Sequence, residues 1–177
     1  MPAQPSDDRL LFVTRIMLAL ILGLLALAFV AVAVAIPILA VARDRFMARA
    51  AESNIPAEAF PWILLLMALI AAGLALGFLF IRNLQRIVGT VSEGDPFVPA
   101  NADRLQAMAW LALGLQGLAL LATPLIIWFD SMPHKANVHH DSEGISLGAL
   151  VLALLLFVLA RVFRVGSAMR ADLEGTV

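Results

Sequence analysis

The chain has 177 residues, of which 62% are hydrophobic and only 14% charged, and its formal net charge is -1. Soluble domains contain about 45–50% apolar and about 25% charged residues, so hydrocarbon must be the solvent for most of this chain. The small net charge excludes a strongly basic surface for direct nucleic-acid binding. The absence of cysteine excludes a disulfide framework, a thiol nucleophile and a cysteine metal site.

Four apolar runs follow one another along the chain, and two of them match the length of about 20 residues that a membrane helix needs. The predicted spans are about 16–42, 60–81, 105–129 and 145–163. The long first span requires tilt or a bend at Pro37. The fourth is completed by residues after Arg161, whose guanidinium can reach the headgroups. The sequence thus predicts an all-α membrane protein, a four-transmembrane-helix bundle forming one domain over residues 1–177.

The basic residues are distributed unevenly between the two sides of this predicted bundle. With four spans, both termini share the side that also holds the hairpin loop at about 82–104, and this side carries Arg9, Arg15, Arg82, Arg86, Arg104, Arg161, Arg164 and Arg170. The outer loops, at about 43–59 and 130–144, carry Arg43, Arg45, Arg49 and Lys135. Because cytoplasmic loops are enriched in Lys and Arg, we expect both termini in the cytoplasm. Trp62 and Trp128, near the outer ends of two spans, fit an interfacial aromatic belt.

Two of the helices are predicted to continue beyond the hydrocarbon. After the second span, one helix face carries the stripe Leu84, Ile87, Val88 and Val91. After the fourth span, a comparable stripe is formed by Val162, Val165, Met169 and Leu173. We expect the two stripes to pack against each other and to form a small cytoplasmic cap.

The segment between the second and third spans carries signals for a tight turn. Gly94 is a suitable helix stop, because glycine adopts the left-handed conformation at little cost. Asp95-Pro96 interrupts the helix pattern, since proline disfavours a helical residue before it. Asn101 is predicted to be the N-cap of the third spanning helix, with Asp103 in the first turn, where the helix dipole favours negative charge.

The same segment and the tail carry a family resemblance. The relevant residues are Gly94-Asp95-Pro96-Phe97-Val98-Pro99 with Asn101 and Arg104-Leu105, then Leu159-Ala160-Arg161-Val162-Phe163-Arg164 with Gly166, and the closing Leu173-Glu174-Gly175-Thr176-Val177. Together with the four spans they resemble the bacterial membrane proteins grouped as domain of unknown function 2975. Ala100 departs from the acidic residue that this family has before the asparagine. The resemblance implies a multi-pass protein of the bacterial inner membrane without an established activity. It also implies a small helix-turn-helix DNA-binding protein as a partner, because such proteins are often encoded beside family members.

A histidine-containing loop lies between the third and fourth spans. It holds His134, His139, His140 and Asp141, which could bind a divalent metal ion or sense acid by protonation. Their spacing matches no standard ligand pattern, so a solvated polar loop is the favoured interpretation. We expect neither a bound metal nor a cofactor.

Small and polar residues inside the spans indicate helix packing. Gln116 is predicted to act as an interhelical hydrogen-bonding group rather than as part of a substrate path. Gly73 with Gly77, and Gly144 with Gly148, form small-xxx-small pairs that allow close approach of helices within the bundle or between copies.

Charged residues near the predicted cap allow two interpretations. Asp95 and Asp103, together with the arginine pairs Arg82/Arg86 and Arg161/Arg164, could form a phosphate-binding or catalytic set. Structural ion pairs and attraction to anionic lipid headgroups explain the same residues and are favoured.

Three function classes remain after these exclusions. The favoured one is a non-enzymatic regulatory or scaffolding protein whose cap binds a cytoplasmic partner. A transporter or channel subunit is the alternative, disfavoured because the spans lack ionisable residues in their interiors. A membrane enzyme is a second alternative, disfavoured because acid, base and nucleophile candidates form no recognisable constellation. The expected partners are the lipid bilayer, the cytoplasmic protein and, as an open alternative, further copies of the chain.

Overall fold

The computed structural model describes residues 5–52, 56–131 and 146–174. Within these ranges the elements are α1 (Pro5–Val41), α2 (Arg43–Glu52), a 3-10 helix (Ala57–Ala59), α3 (Phe60–Ser92), α4 (Pro99–Asp130) and α5 (Leu147–Glu174). Four helical stretches are long and apolar enough to cross a membrane, namely Leu11–Val41, Phe60–Ser92, Pro99–Asp130 and Leu147–Asp172. The predicted all-α fold with four candidate spanning helices is therefore confirmed.

The helices are longer than the apolar runs that define the predicted spans. α3 continues to Ser92 and α5 to Glu174, as the apolar stripes beyond the spans indicate. The predicted hairpin loop at 82–104 is reduced to residues 93–98, because helix occupies both of its ends. The helix ends are therefore set by turn-forming residues and not by the end of hydrophobicity.

A short polar helix occupies much of the predicted outer loop at 43–59. The N–H of Ala42 donates to Ile38 O (2.9 Å) and that of Phe46 donates to Ala42 O (3.0 Å), so the helical hydrogen-bond pattern continues from α1 into α2. α2 has a charged face with Arg45 and Arg49, and it buries Ala50. Charges end the apolar run here, and beyond the turn at Ala42 the chain continues as a second helix.

Long helices that follow one another along the chain pack against each other. α1 packs on α3, α3 on α4, and α4 on α5. The core lies where α4 is placed between α3 and α5, and its buried residues are Ile87, Leu105, Met108, Ala109, Leu156 and Ala160. α1 buries Leu18 and leaves most of its apolar side chains exposed, as expected for a helix whose solvent is hydrocarbon.

The predicted packing of the two apolar stripes is wrong. On α5, Val162, Val165 and Met169 are all more than half exposed, and the side chain of Leu173 lies outside the described residues. On α3, Ile87 is buried, but the cluster that contains it is completed by residues of α4 and by Leu156 and Ala160 of α5, which do not belong to the predicted stripe. The physical reason is the short connection at 93–98, which places α4 directly beside α3 and so occupies the position predicted for the second stripe.

The glycine pairs contribute to packing less than their spacing predicts. A Cβ atom on Gly73 would lie 3.4 Å from Leu118 Cδ2, so this glycine faces α4 closely. A Cβ atom on Gly77 would meet nothing within 4 Å, and one on Gly148 would meet only Ser146 Oγ at 3.7 Å. Gly144 lies outside the described residues. Gln116 is buried in α4, 8% exposed, as expected for a residue that contributes to the bundle interior.

Candidate functional site

Side-chain hydrogen bonds that join different elements cluster at one end of the helices. This end, here called the polar end, consists of the start of α1 near Arg15, the last turns of α3, residues 93–98, the first turns of α4, and α5 beyond Phe163. The charged residues of the family-like motifs lie here. The polar end is therefore the part of the described chain that holds a specific arrangement of polar groups.

The end of α3 is held by two backbone hydrogen bonds that depend on Gly94. Glu93 is the C-cap residue, and Gly94 follows with a φ of 84°, in the left-handed region. The N–H of Gly94 donates to Val91 O and the N–H of Asp95 donates to Thr90 O, both at 3.1 Å. This pair of bonds is the Schellman motif, which satisfies carbonyls at a helix end. The prediction that Gly94 ends the helix is confirmed.

The start of α4 differs from the prediction. The N-cap residue is Val98, in an extended conformation, and Pro99 is the first helical residue. Proline suits this position, because its φ is already helical and its missing N–H has no partner in the first turn. Asn101 is therefore not the N-cap, and Asp103 lies beyond the first turn. Both predictions are wrong because they placed the start of the helix after Pro99.

Asn101 instead forms the buried centre of the polar end. Its side chain is fully buried, 0% exposed. The Nδ2 group donates to Thr90 Oγ1 at 2.7 Å and to Pro96 O at 2.9 Å, and Oδ1 accepts from Arg104 at 2.8 Å. Arg104 also donates to Arg86 O at 3.4 Å. Both amide hydrogens and the amide oxygen are thus used, and they join α3, the turn and α4.

The turn is also attached to α5. The Phe97 ring packs on Phe163 with 5.3 Å between ring centroids. A Cβ atom on Gly166 would lie only 2.9 Å from Phe97 Cδ1, so this position must be glycine for the ring to fit as it does. Beside the ring, Arg170 of α5 donates a hydrogen bond to the Asp95 carboxylate and forms an ion pair with it. Phe97 nevertheless keeps 41% of its surface exposed.

A second ion pair joins α4 and α5 at the surface. Arg164 donates to the Asp103 carboxylate at 3.1 Å and to Gln106 Oε1 at 2.8 Å. Both side chains of this ion pair are largely exposed. The pair therefore helps to orient α5 relative to α4 but contributes little to the free energy of unfolding. Arg161, one turn earlier, is exposed and makes no hydrogen bond or ion pair with a described residue. The same holds for the side chains of Arg82 and Arg86.

The start of α1 is fastened to the end of α3 by a residue that the sequence analysis counted only as a charge. The Arg15 guanidinium donates to Gly89 O at 3.2 Å and also to the Ser92 hydroxyl. A cation near the C-terminal carbonyls of a helix is favoured by the helix dipole. The order of the spans could have indicated this contact, because two consecutive spans place the start of α1 on the same side as the end of α3.

The opposite end of the helices is aromatic. Trp62 and Trp128 pack with 6.2 Å between centroids, and the aromatic belt expected from them stays a prediction. Phe46 of α2 packs on Phe60, and the Arg43 guanidinium lies 5.3 Å from the Phe60 ring centroid. Open apolar grooves of about 520 and 550 Å³ flank the α3–α4 contact towards this end.

The predicted metal candidates lie outside the residues that the structure describes. His134, His139, His140 and Asp141 all lie in residues 132–145, which the structure does not describe. In the part that it does describe, no group of three or more His, Cys, Asp or Glu side chains could hold a metal ion.

Comparison with known proteins yields one match. The sequence profile of a family described as "Protein of unknown function (DUF2975)" matches residues 45–177. This range includes the turn at 93–98, Asn101 and both ion pairs of the polar end. No curated protein and no solved structure matches the chain.

Proposed function

Because the chain belongs to the DUF2975 family of proteins of unknown function, we propose its function from the geometry of the polar end. The chain is a non-enzymatic regulatory or scaffolding membrane protein. Its polar end lies in the cytoplasm and binds a water-soluble protein partner there. The apolar helices anchor this surface in the membrane.

The observation that carries the proposal is the buried Asn101 amide beneath an exposed turn. Asn101 fixes residues 93–98 through Pro96 O and fixes α3 through Thr90. The groups that this framework presents are exposed and chemically mixed: Phe97 offers an aromatic ring, while Glu93 and Arg86 offer opposite charges. A preorganised surface of this kind binds a partner without the entropic cost of ordering a loop.

The charged groups of the polar end support a structural role over a catalytic one. Asp95 is paired with Arg170, and Asp103 with Arg164, so each carboxylate orients a neighbouring helix. For the partner, the family resemblance favours a small helix-turn-helix DNA-binding protein. Such a protein would be held at the membrane by this surface, which would separate it from DNA.

The cytoplasmic placement of the polar end rests on the basic residues of the chain. Arg15, Arg104 and Arg164 lie at this end, and it holds the larger share of the Lys and Arg residues. Reporter fusions after Arg86 and after Lys135 are expected to give opposite signals, cytoplasmic for the first and external for the second. Matching signals at both positions would contradict four spans, and reversed signals would contradict the orientation.

Partner binding is tested by exchanging two exposed charges at the polar end. The double variant Arg86→Glu with Glu93→Arg keeps the net charge but reverses the local charge pattern of the surface. We expect co-purification of the native partner from mildly solubilised membranes to fall by about tenfold or more, because one misplaced charge pair costs about 1.4 kcal/mol or more of binding. The measurement is quantitative mass spectrometry of the retained protein.

The matched control makes the same exchange at the aromatic end. Arg49→Glu with Glu52→Arg also exchanges two exposed charges and also preserves the net charge. We expect this control to retain the partner at the wild-type level. Equal retention by both double variants, or equal loss, would contradict the polar end as the docking surface.

A further inference from the structure

Four arginines from three helices converge on one side of α3. Arg82 and Arg86 are four positions apart on that helix, and Gly89 follows three positions later, so all three share one face. The Arg15 guanidinium of α1 lies against Gly89 and donates to its carbonyl oxygen at 3.2 Å. Arg104 of α4 reaches the same stretch of α3 and donates to Arg86 O at 3.4 Å. The four arginines are here called the arginine face.

No carboxylate among the described side chains pairs with the arginine face. Asp103 immediately precedes Arg104, but Asp103 bonds to Arg164 of α5, whereas Arg104 bonds to α3. On α3 itself, the next acidic residue is Glu93, about two turns beyond Arg86. The arginine face therefore carries positive charge that the described part of the protein does not neutralise, and it is complementary to an anion.

The Arg104 guanidinium is oriented by the protein itself. Its Nη1 group donates to Oδ1 of Asn101 at 2.8 Å, and Asn101 is fully buried. Arg104 is half-buried, and its Nε and Nη2 groups make no hydrogen bond with a described residue. These two groups form one edge of the planar guanidinium, which can donate to two phosphate oxygens at once. A preoriented donor of this kind favours a phosphate as the anion.

The arginine face lies where the apolar runs begin and end. Arg15 directly precedes the first run, Arg82 directly follows the second, and Arg104 directly precedes the third. The phosphates of lipid headgroups lie at this boundary of the hydrocarbon. Leu79 lies on the same side of α3, three positions before Arg82, and is 42% exposed. A phospholipid can therefore contact the arginines with its phosphate and Leu79 with an acyl chain.

The arginines of α2, at the opposite end, lack these features. They lie on one short helix, with Asp44 between the first two. Arg43 is placed against the Phe60 ring. None of the three donates a hydrogen bond to a residue that the structure describes. Arg45 and Arg49 are exposed and four positions apart, as Arg82 and Arg86 are, so they provide a matched control.

We propose that the arginine face is a binding site for an anionic glycerophospholipid, whose phosphate is held between the guanidinium groups of α1, α3 and α4. Basic pockets between spanning helices are a recurrent form of such sites. A zwitterionic phospholipid fits less well, because the same arginines repel its ammonium group. The site goes beyond the protein partner proposed above and does not depend on it.

Native mass spectrometry of the purified full-length protein in detergent tests the proposal. The probes are phosphatidylglycerol and phosphatidylethanolamine with identical acyl chains. We expect the first phosphatidylglycerol to bind with a Kd at least about tenfold lower than that of phosphatidylethanolamine. Arg82→Gln with Arg86→Gln should raise the Kd of phosphatidylglycerol by about tenfold or more, since it removes two of the four positive charges. Neither side chain bonds to a described residue, so the helical circular dichroism should stay unchanged.

The control and the competing anion decide the interpretation. Arg45→Gln with Arg49→Gln also removes two exposed arginines, and we expect it to leave the Kd of phosphatidylglycerol unchanged. Equal Kd values for the two lipids, or equal losses in the two double variants, would overturn the proposal. Displacement of phosphatidylglycerol by an equimolar amount of inorganic phosphate would assign the site to a soluble anion and would also overturn it.

A conservative substitution tests the role of Arg104 separately. Arg104→Lys keeps the positive charge but replaces the planar fork by a single ammonium group. We expect the Kd of phosphatidylglycerol to rise while that of phosphatidylethanolamine stays unchanged, which a general loss of structure would not produce. Wild-type binding of phosphatidylglycerol by this variant would contradict the preoriented guanidinium as part of the site.

Discussion

Replacing Asn101 by alanine is expected to lower the free energy of unfolding by about 2–3 kcal/mol. The side chain is 0% exposed and makes three side-chain hydrogen bonds, with Thr90, Pro96 and Arg104. Its removal leaves polar groups in a buried place without these partners, and water cannot replace the amide without opening the turn. The measurement is the unfolding curve in mixed detergent micelles, followed by the loss of helical circular dichroism.

The chain provides a matched control for this substitution. Asn83 also lies on α3 near the polar end, but its Nδ2 group donates only within its own helix, to Leu79 O at 3.0 Å. Asn83→Ala should change the free energy of unfolding by less than about 1 kcal/mol, since no bond between elements is lost. Similar losses for the two variants would contradict the role of Asn101 as the centre of the network.

Replacing Gly94 by alanine is expected to cost about 1–2 kcal/mol through backbone strain. Gly94 has a φ of 84°, which residues with a Cβ atom adopt unfavourably. A Cβ atom there would meet nothing within 4 Å, so a steric clash does not contribute. The same unfolding measurement applies. The strain should also weaken the two hydrogen bonds of the Schellman motif, which amide hydrogen exchange at Gly94 and Asp95 would report as faster exchange.

Gly77→Ala is the matched control, for which we expect the free energy of unfolding to stay the same or to rise. Gly77 lies inside α3 in a helical conformation, and a Cβ atom there would also meet nothing within 4 Å. Alanine favours helix over glycine by up to about 1 kcal/mol, so this variant should be as stable as the wild type or more stable. A loss of stability in Gly77→Ala equal to that in Gly94→Ala would show that the cost does not arise from the positive φ.

The parts of the fold that the sequence predicts are those that depend on local physical properties. The length of each apolar run is enough to identify a spanning helix, because hydrocarbon thickness sets the length required. Gly94 is identified as a helix end because few residues other than glycine adopt the left-handed conformation there. The continuation of α3 to Ser92 follows from the spacing of its apolar residues.

The parts of the fold that the sequence does not predict depend on which helices and turns become neighbours in space. The stripe with Val162 and Val165 shows that α5 has an apolar face, but not that α4 already occupies the position beside α3. Asparagine is a residue type preferred at N-caps. Because α4 begins at Pro99, Asn101 instead lies inside the helix, where it is the buried centre of the hydrogen bonds. Phe97 packs against Gly166, which is distant in sequence. Neither residue type, taken alone, predicts this contact.

The order in which the long helices pack has a consequence for how the protein is made. α3 meets α1, α4 meets α3, and α5 meets α4, so each long helix after the first packs on a helix that has already been synthesised. Insertion into the membrane can therefore proceed by successive addition at one open edge, with no rearrangement of earlier contacts. Arg15 is translated long before Gly89 and Ser92. Its guanidinium is therefore already in place when the end of the second spanning helix is made. The chain can thus assemble in the order in which it leaves the ribosome.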